Sequence, residues 1–417
     1  MRLEYFSGIQ QESDLSWVRY VSIAAVFFLS VFTFINPFPH LSTIREIGYY
    51  GACLFFGIIL IREKDFSALK TPLLVPVALF TFWAFVGLFF ALDVETSVHD
   101  FRSHLLEYIL LFVLYVSFFK DPKMVRLVAW LLVISVSIAS VHELYLWYVK
   151  MGNPWYKRIT IPNHQSPTGP VGFMALYAIL MSLYLFLFEK KVLLRCILLG
   201  CMLVLFITVF AVQTRSILFA MPIVFIALFW DRKKYLALFL IISICMGVIT
   251  MTKFRQNPIK TNYSPRLTLN YISMLVLKDH PITGIGFGID SFGSPEVIDH
   301  EHYRGQVPVK IKSSVQVTSQ HSMWMGIATR TGVVGLLLFG VILTVFVKMC
   351  YRVIRLSNDD EKKFLGRLGL ASMLFFAIYG LCNVVFMHFL ETLMCVTFSI
   401  VQSAYSRTET SQQLNND

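Results

Sequence analysis

Apolar residues recur along the chain in runs about as long as a membrane-spanning helix, separated by short polar segments. A helix crosses the hydrocarbon core of a bilayer with roughly 20 apolar residues, so the pattern predicts an all-α polytopic membrane protein. Marking the runs between charged clusters predicts about twelve transmembrane helices, near residues 20–35, 47–61, 71–92, 105–119, 125–149, 169–188, 192–212, 216–230, 235–252, 322–347, 368–387 and 389–405.

Lysine and arginine are concentrated in every second connection between these spans. Cytoplasmic loops carry such an excess, so the basic connections are predicted to face the cytoplasm together with both termini. The first apolar run is followed by Asn36 and Pro37 instead of a small-residue cleavage site, which predicts a retained span and not a signal peptide. The remaining connections are predicted to lie outside.

One of the outer connections, residues 253–320, is long and mixes proline, glycine, histidine, acids and bases. Loops of this length in compact proteins are usually functional. We therefore predict a single integral membrane domain over residues 1–417, with a long loop carrying short helices between spans nine and ten. No internal repeat and no matching pair of interrupted helices is evident, which argues against a transporter.

Composition agrees with a membrane protein and excludes several soluble classes. The chain is 56% hydrophobic and 15% charged, whereas soluble domains carry roughly 25% charged residues. Its net charge of +11 comes from small basic clusters between apolar runs, so we interpret it as a topology signal and expect no nucleic-acid partner. The seven cysteines lie in or beside apolar segments and predict no disulfide framework.

Arg215 lies in the short connection Gln213-Thr214-Arg215-Ser216 between two apolar runs, on the predicted outer side. A cation at this place opposes the orientation bias, and an ionisable residue at membrane depth is a candidate for function. The alternative is an interfacial arginine whose stem packs on apolar surface while its head reaches water.

Arg266 lies in the long loop, where Ser264 and Pro265 precede an apolar-rich stretch that is typical of a short helix. Free amides and the helix dipole favour an anion at such an N-terminus, and an arginine could hold a phosphate through two parallel hydrogen bonds. The alternative is a solvated loop arginine. The glycine-containing segment 280–288 that follows lacks the strand and helix of a nucleotide site, so we interpret it as a turn.

His321 precedes the apolar run at 322–347, at the predicted outer interface. Its ordinary pKa makes histidine a suitable general base for a sugar hydroxyl. The alternative is an interface histidine that caps the following helix. Further along the chain from Arg266, residues 299–302 read Asp-His-Glu-His, but adjacent ligands rarely close a metal sphere, so we interpret them as a solvated loop.

Arg330 lies within the same apolar run and requires an acidic partner or a substrate at that depth. The acidic candidates are Glu107, Glu143 and Glu391. His388 and Glu391 lie in the predicted outer turn of the last helical hairpin, where they either join the site or tie the hairpin down. We find no Asp-x-Asp pair of the kind many metal-using glycosyltransferases carry, so we expect no metal and no cofactor.

Three motifs occur in a fixed order: an arginine in a Gln-Thr-Arg-Ser turn, an arginine opening a helix that ends in His-Pro-Ile-Thr-Gly-Ile-Gly, and a histidine opening a span with Gly-Val-Val-Gly. From about residue 160 to 390 the chain therefore resembles the O-antigen ligase and polymerase superfamily of bacterial envelope glycosyltransferases. Its length and single long outer loop are most similar to the ligase branch.

The resemblance implies a C-type glycosyltransferase-like membrane fold in the bacterial inner membrane, with its site facing the periplasm. It implies a glycan donor on undecaprenyl diphosphate, a lipid A-core acceptor and an inverting transfer that needs neither metal nor ATP. Arg215 and Arg266 would hold the diphosphate, and His321 would activate the acceptor hydroxyl. Arg330, His388 and Glu391 would support them.

The chain departs from this family in three places. Ser322 follows the key histidine where the family often has asparagine, and Arg330 stands where an acid is common. Asn383 and Glu391 compete for the role of a polar residue in the last hairpin. A polymerase of the same superfamily and a non-catalytic transporter of lipid-linked glycans stay open as alternatives.

Overall fold

The computed structural model of the protein describes residues 10–64, 70–159, 168–250, 252, 265–314 and 316–416. Regular structure within these ranges is helical. The α-helices are α1 (Gln10–Ile35), α2 (Ser42–Glu63), α3 (Leu74–Leu88), α4 (Val94–Phe101), α5 (Glu107–Phe118), α6 (Pro122–Leu144), α7 (Thr168–Phe188), α8 (Val192–Val212), α9 (Arg215–Phe229), α10 (Lys233–Ile249), α11 (Pro265–Asp279), α12 (His300–Gly305), α13 (Met323–Leu356), α14 (Asp360–Gly380) and α15 (His388–Asn416).

Helices long and apolar enough to cross a membrane make this a multi-pass protein. Eight such segments occur among the described residues, and α3 and α9 are shorter apolar helices. Each of the twelve predicted runs overlaps a helix, so the all-helical polytopic class is confirmed. The count of twelve crossings stays a prediction.

Two predicted boundaries in the last third of the chain were wrong. Helix α13 continues beyond residue 347 to Leu356, and α14 ends at Gly380 instead of 387. The side-chain amide of Asn383 donates to Tyr379 O at 3.0 Å and so occupies a carbonyl of the last turn of α14. The apolar sequence 381–387 therefore forms a connection that shapes one end of the bundle.

Helix α7 lies at the centre of the bundle, packed against α6, α8 and α14. Its apolar residues extend around its whole circumference, which is typical of a helix surrounded by protein, and residues 173–185 are buried. Phe173 stacks on Phe375 of α14 with ring centroids 4.1 Å apart. These contacts fix the scaffold from which the connections at both ends of the bundle project.

The long predicted connection contains its own small apolar core. Helices α11 and α12 and the turns after them bury a separate cluster of Leu269, Ile272, Val276, Ile285, Phe292, Ile298, Tyr303, Val307 and Val317. Residues 265–314 are therefore a folded unit that packs on α13 through α11. The turn predicted at 280–288 is confirmed and lies within this unit.

Helix α13 is broken at Gly332. Its φ of 70° and ψ of −176° are not helical, and an apolar run gives no sign of such a break. The backbone of the turn replaces the missing helical hydrogen bonds: Ile285 N donates to Thr329 O at 2.8 Å, and Val333 N donates to Pro281 O at 2.8 Å. The break therefore fixes the turn, and with it α11, against α13.

Replacing Gly332 by alanine is expected to destabilise the protein. Its φ lies in the left-handed region, and an added Cβ would overlap Ile282 O. Strain of this kind together with overpacking costs roughly 2 kcal/mol or more. Gly340→Ala in the same helix is the matched control, because a Cβ there meets nothing within 4 Å.

Thermal unfolding of both variants in detergent, followed by intrinsic fluorescence, measures the difference. A lower midpoint for Gly332→Ala and an unchanged or slightly higher midpoint for Gly340→Ala are expected, since alanine favours helix over glycine. Equal midpoints for the two variants would contradict the proposed role of the break.

Candidate active site

Arg215 begins α9 immediately after a tight turn that ends α8. Helix α8 ends at Val212, and Gln213 adopts a left-handed conformation with φ 51°. The turn leaves the Arg215 side chain exposed at the first position of α9. A cation is unfavourable at a helix N-terminus unless an anion is bound there, so this position favours an anionic ligand.

Arg158 is held against the same turn and was missed by the sequence analysis. Its Nε donates to Val212 O at 2.9 Å, and the side-chain amide of Gln213 donates to Tyr156 O at 3.0 Å. Ile159 N donates to Ala211 O at 3.2 Å. A signal was available, since a basic pair at 157–158 follows a span on the predicted outer side, where it opposes the orientation bias as Arg215 does.

Arg266 lies in the first turn of α11, next to Pro265, and its side chain is exposed. The expected helix with proline at its start is confirmed, whereas Ser264 lies outside the described residues. The charge of Arg266 acts on Arg158, on His321 and on the buried Tyr379 of α14. Arg266 is therefore close to both the Arg215 turn and the histidine.

His321 lies just before α13 with a left-handed φ of 50°. It does not cap the helix, because Ser322 is the N-cap and accepts from Met325 N at 3.4 Å. A non-glycine residue in this conformation is strained, and such strain is often found at functional sites. Of the alternatives for His321, the capping role is wrong.

Two hydrogen bonds join the His321 segment to the Arg215 turn through the end of α14. Ser322 Oγ donates to Gly380 O at 3.3 Å. Asn383, in the connection after α14, donates to Ser216 Oγ at 2.9 Å. These contacts, together with the charge of Arg266, place Arg158, Arg215, Arg266 and His321 at one end of the bundle, here called the arginine–histidine site.

The positive charges at this site act on one another and on the histidine. Burial lowers the pKa of the Arg158 guanidinium, and the charges of Arg266 and Arg215 lower it further. Burial lowers the pKa of the His321 imidazole below its ordinary 6.5, and Arg266 adds to this effect. Neutral His321 can accept a proton near neutral pH, while the arginines remain charged and suited to a polyanion.

Arg330, His388 and Glu391 belong to a second group around His104. Arg330 is 2% exposed and donates through Nε to Phe287 O at 2.8 Å and through Nη2 to the same oxygen. Of its three predicted partners, only Glu391 is among the carboxylates that act on it, the others being Asp100 and Asp290. Arg330 forms no salt bridge with any of these carboxylates among the described residues, so the role of Glu391 as its partner stays a prediction.

His104, His388 and Glu391 also form a compact set of potential metal ligands, with ligand atoms within 4.8 Å of one another. The Glu391 carboxylate already accepts a hydrogen bond from His104 Nδ1 at 2.8 Å. The two imidazoles stack with centroids 4.4 Å apart and planes 16° apart, so their in-plane lone pairs run side by side instead of converging on one ion. The geometry is that of a hydrogen-bonded cluster. The interpretation of residues 299–302 as a loop was wrong, although most of their side chains are exposed: His300 begins α12, and Asp299 caps it by accepting from His302 N at 3.0 Å.

Residues 199–340 match the family model described as O-antigen ligase. This segment of the chain is therefore similar to the O-antigen ligase family. The matched segment covers about a third of the protein and contains Arg215, Arg266 and His321. No curated protein matches the chain.

The O-antigen ligase match extends from α8 into α13, so it includes the break at Gly332 and the turn that fills it. Arg158, His388 and Glu391 lie outside it. Arg158 belongs with the site because it contacts the matched segment: its hydrogen bond to Val212 O fixes Arg158 beside the Arg215 turn.

Replacing Arg266 by glutamine is expected to raise the pKa of His321 toward its ordinary value. The guanidinium disfavours the charged imidazole, so its removal makes protonation easier. Diethylpyrocarbonate modifies neutral imidazole, and the pH dependence of His321 labelling, followed by mass spectrometry, reports the midpoint. Wild type should show a midpoint below 6.5 and Arg266→Gln a higher one.

Lys310→Gln is the matched control for this titration, because Lys310 is an exposed cation elsewhere in the folded loop unit. It should leave the midpoint unchanged. A midpoint that is equal in wild type and Arg266→Gln would show that the two residues are not electrostatically coupled.

Proposed function

We propose that this protein is an O-antigen ligase that transfers O-antigen polysaccharide from undecaprenyl diphosphate to lipid A-core oligosaccharide. The observation that carries the proposal is the cluster of Arg158, Arg215 and Arg266 beside a neutral His321. The family match at residues 199–340 supports the same class of reaction. A group of guanidinium charges suits a donor whose leaving group is a diphosphate.

The three arginines would hold the donor diphosphate from three different segments. Arg215 and Arg266 each stand in the first turn of a helix, where backbone amides add to the attraction for an anion. Arg158 contributes a third guanidinium, fixed by its bond to Val212 O. As the glycosidic bond breaks, negative charge grows on the leaving diphosphate, and these groups stabilise it.

His321 would act as the general base. A hydroxyl of the acceptor attacks the anomeric carbon of the donor sugar while its proton passes to the imidazole. The new glycosidic bond forms as the bond to the diphosphate breaks, and undecaprenyl diphosphate leaves with the electron pair. A single displacement inverts the configuration at the anomeric carbon. The energy comes from the bond between the donor sugar and the diphosphate, so the scheme requires no ATP. The arginines supply the positive charge for the leaving group, so it requires no metal.

The location of the site follows from the charge pattern of the chain. The arginine–histidine site lies at the end of the bundle opposite the lysine- and arginine-rich connections, such as the one between α13 and α14. The positive-inside rule then favours a site on the periplasmic side of the inner membrane with cytoplasmic termini. Both lipid-linked substrates would reach it from the plane of the bilayer.

Transfer by the purified protein in detergent tests this proposal. Wild type should transfer glycan from undecaprenyl diphosphate to lipid A-core without ATP and in the presence of EDTA. His321→Ala should lower kcat by roughly 10²- to 10⁴-fold, the usual contribution of a general base. Arg158→Gln, Arg215→Gln and Arg266→Gln should each lower kcat/KM by about 10² or more, since each removes a charge that stabilises the leaving group.

Arg352→Gln is the matched control, because this exposed arginine lies toward the far end of α13, where it pairs with Glu409. Its rate should equal that of wild type. The same assay distinguishes the polymerase of this superfamily, which would build longer glycans on the donor lipid and leave lipid A-core unmodified. That product, or full activity of His321→Ala, would contradict the proposal.

A further inference from the structure

An apolar cavity lies beside the start of α13, between α3, α5, α13 and α15. Its volume is about 130 Å³, and its walls are almost entirely aliphatic and aromatic side chains, among them Ile109, Phe339 and Ile342. Apolar cavities of about this size hold one benzene-sized ligand, so this space admits a single apolar chain. It runs from Met323, two residues after His321, toward the opposite end of the bundle.

The cavity has one polar end, formed by Arg330, His104 and Glu391. Arg330 lies between the rings of Phe287 and Phe386, with its guanidinium carbon 4.2 and 4.5 Å from their centroids. Its Nε and Nη2 donate to Phe287 O, but Nη1 is buried and has no hydrogen-bond partner among the described residues. Buried donors are almost always satisfied, so Nη1 favours a ligand with an oxygen acceptor.

The other polar groups at this end do not meet that need. Glu391 accepts from His104 through both carboxylate oxygens, at 3.0 and 2.8 Å. Tyr108 donates to His388 O at 2.8 Å. An oxygen acceptor would satisfy Arg330 Nη1, and the apolar lining of the cavity suits a ligand that is otherwise apolar.

A polar cleft of about 340 Å³ adjoins the cavity, and Tyr108 lines both. His388, which stacks on His104, also lines the cleft. Its charged residues balance, with Arg45 and Arg102 against Glu46 and Glu107, and tyrosine rings complete the wall. A cleft of balanced charges, hydroxyls and aromatic faces suits the hydroxyl groups and apolar faces of a sugar better than it suits a polyanion.

We infer that the cavity and the cleft together bind the acyl-chain glycolipid that serves as acceptor. One acyl chain would occupy the cavity with its carbonyl oxygen on Arg330 Nη1, and the sugar would occupy the cleft. An isoprenoid chain fits less well, because it carries no oxygen acceptor along its length. A space of about 130 Å³ holds only part of an acyl chain, the segment next to the carbonyl.

This inference rests on the proposed function for the identity of the glycolipid, and binding tests it without catalysis. The probe is lipid A-core added to the purified protein in the absence of donor, with the bound fraction measured by native mass spectrometry. Ile109→Trp fills the cavity and Ile138→Trp, on the exposed surface of α6, is the matched control. Arg330→Gln removes the unmet donor.

Ile109→Trp and Arg330→Gln should each weaken binding of lipid A-core by about tenfold or more, a change that corresponds to 1.4 kcal/mol. Ile138→Trp should bind as wild type does. Arg330 is buried, so its replacement can prevent folding. If the Arg330→Gln variant does not fold, the comparison of Ile109→Trp with wild type tests the inference alone. Equal binding by the two tryptophan variants would overturn the inference.

Three further probes test the chemistry of the bound chain. Sucrose monolaurate carries an ester carbonyl and dodecyl maltoside does not, although chain length and disaccharide headgroup are similar. Wild type should prefer the ester, and Arg330→Gln should lose that preference. Undecaprenyl phosphate should bind Ile109→Trp and wild type equally, and a loss of its binding would assign the cavity to the donor chain and overturn the inference.

The outcomes separate this inference from the proposed function. A protein that binds lipid A-core in the cavity but transfers no glycan would refute the proposed function alone. Glycan transfer by the Ile109→Trp variant with an unchanged KM for lipid A-core would refute the cavity assignment alone.

Discussion

Helix α13 is interrupted at Gly332, and the turn at 281–287 supplies the backbone hydrogen bonds that the interruption removes. The guanidinium of Arg330 closes the same junction by donating to Phe287 O. Since α11 leads directly into this turn, Arg266 is fixed relative to α13, whose first residues follow His321. The distance between His321, the predicted base, and Arg266, a predicted phosphate ligand, therefore depends on the break in α13 at Gly332.

The second constraint is the mutual repulsion of the arginines. Arg215 and Arg266 both act on Arg158, and two of the three stand at helix N-termini, where a cation without an anion is unfavourable. The hydrogen bonds of Gln213, Asn383 and Ser322 hold the segments together despite this repulsion. Such an arrangement is typical of a site that is organised for an anion before the anion arrives.

Much of the fold follows from the sequence because apolar length and charge placement are local properties. Each predicted run overlaps a helix, and the positions of Arg215, Arg266 and His321 at helix ends follow from the residues beside them. The break at Gly332 does not follow, because its cause is the turn at 281–287, nearly fifty positions away in the chain. The basic pair at 157–158 is a local signal for Arg158, but its place beside the Arg215 turn depends on a contact with Val212 O, which is distant in the chain.

In the proposed mechanism a diphosphate binds between the arginines and His321, close enough for its charge to act on the imidazole. The most direct measurement is the pKa of His321, by carbon-13 histidine NMR in detergent, with and without undecaprenyl diphosphate. Bound diphosphate neutralises the charge of Arg266, which lowers the pKa of His321. We therefore expect the pKa of His321 to rise when diphosphate binds. A pKa that stays the same when the protein is saturated with undecaprenyl diphosphate would contradict it.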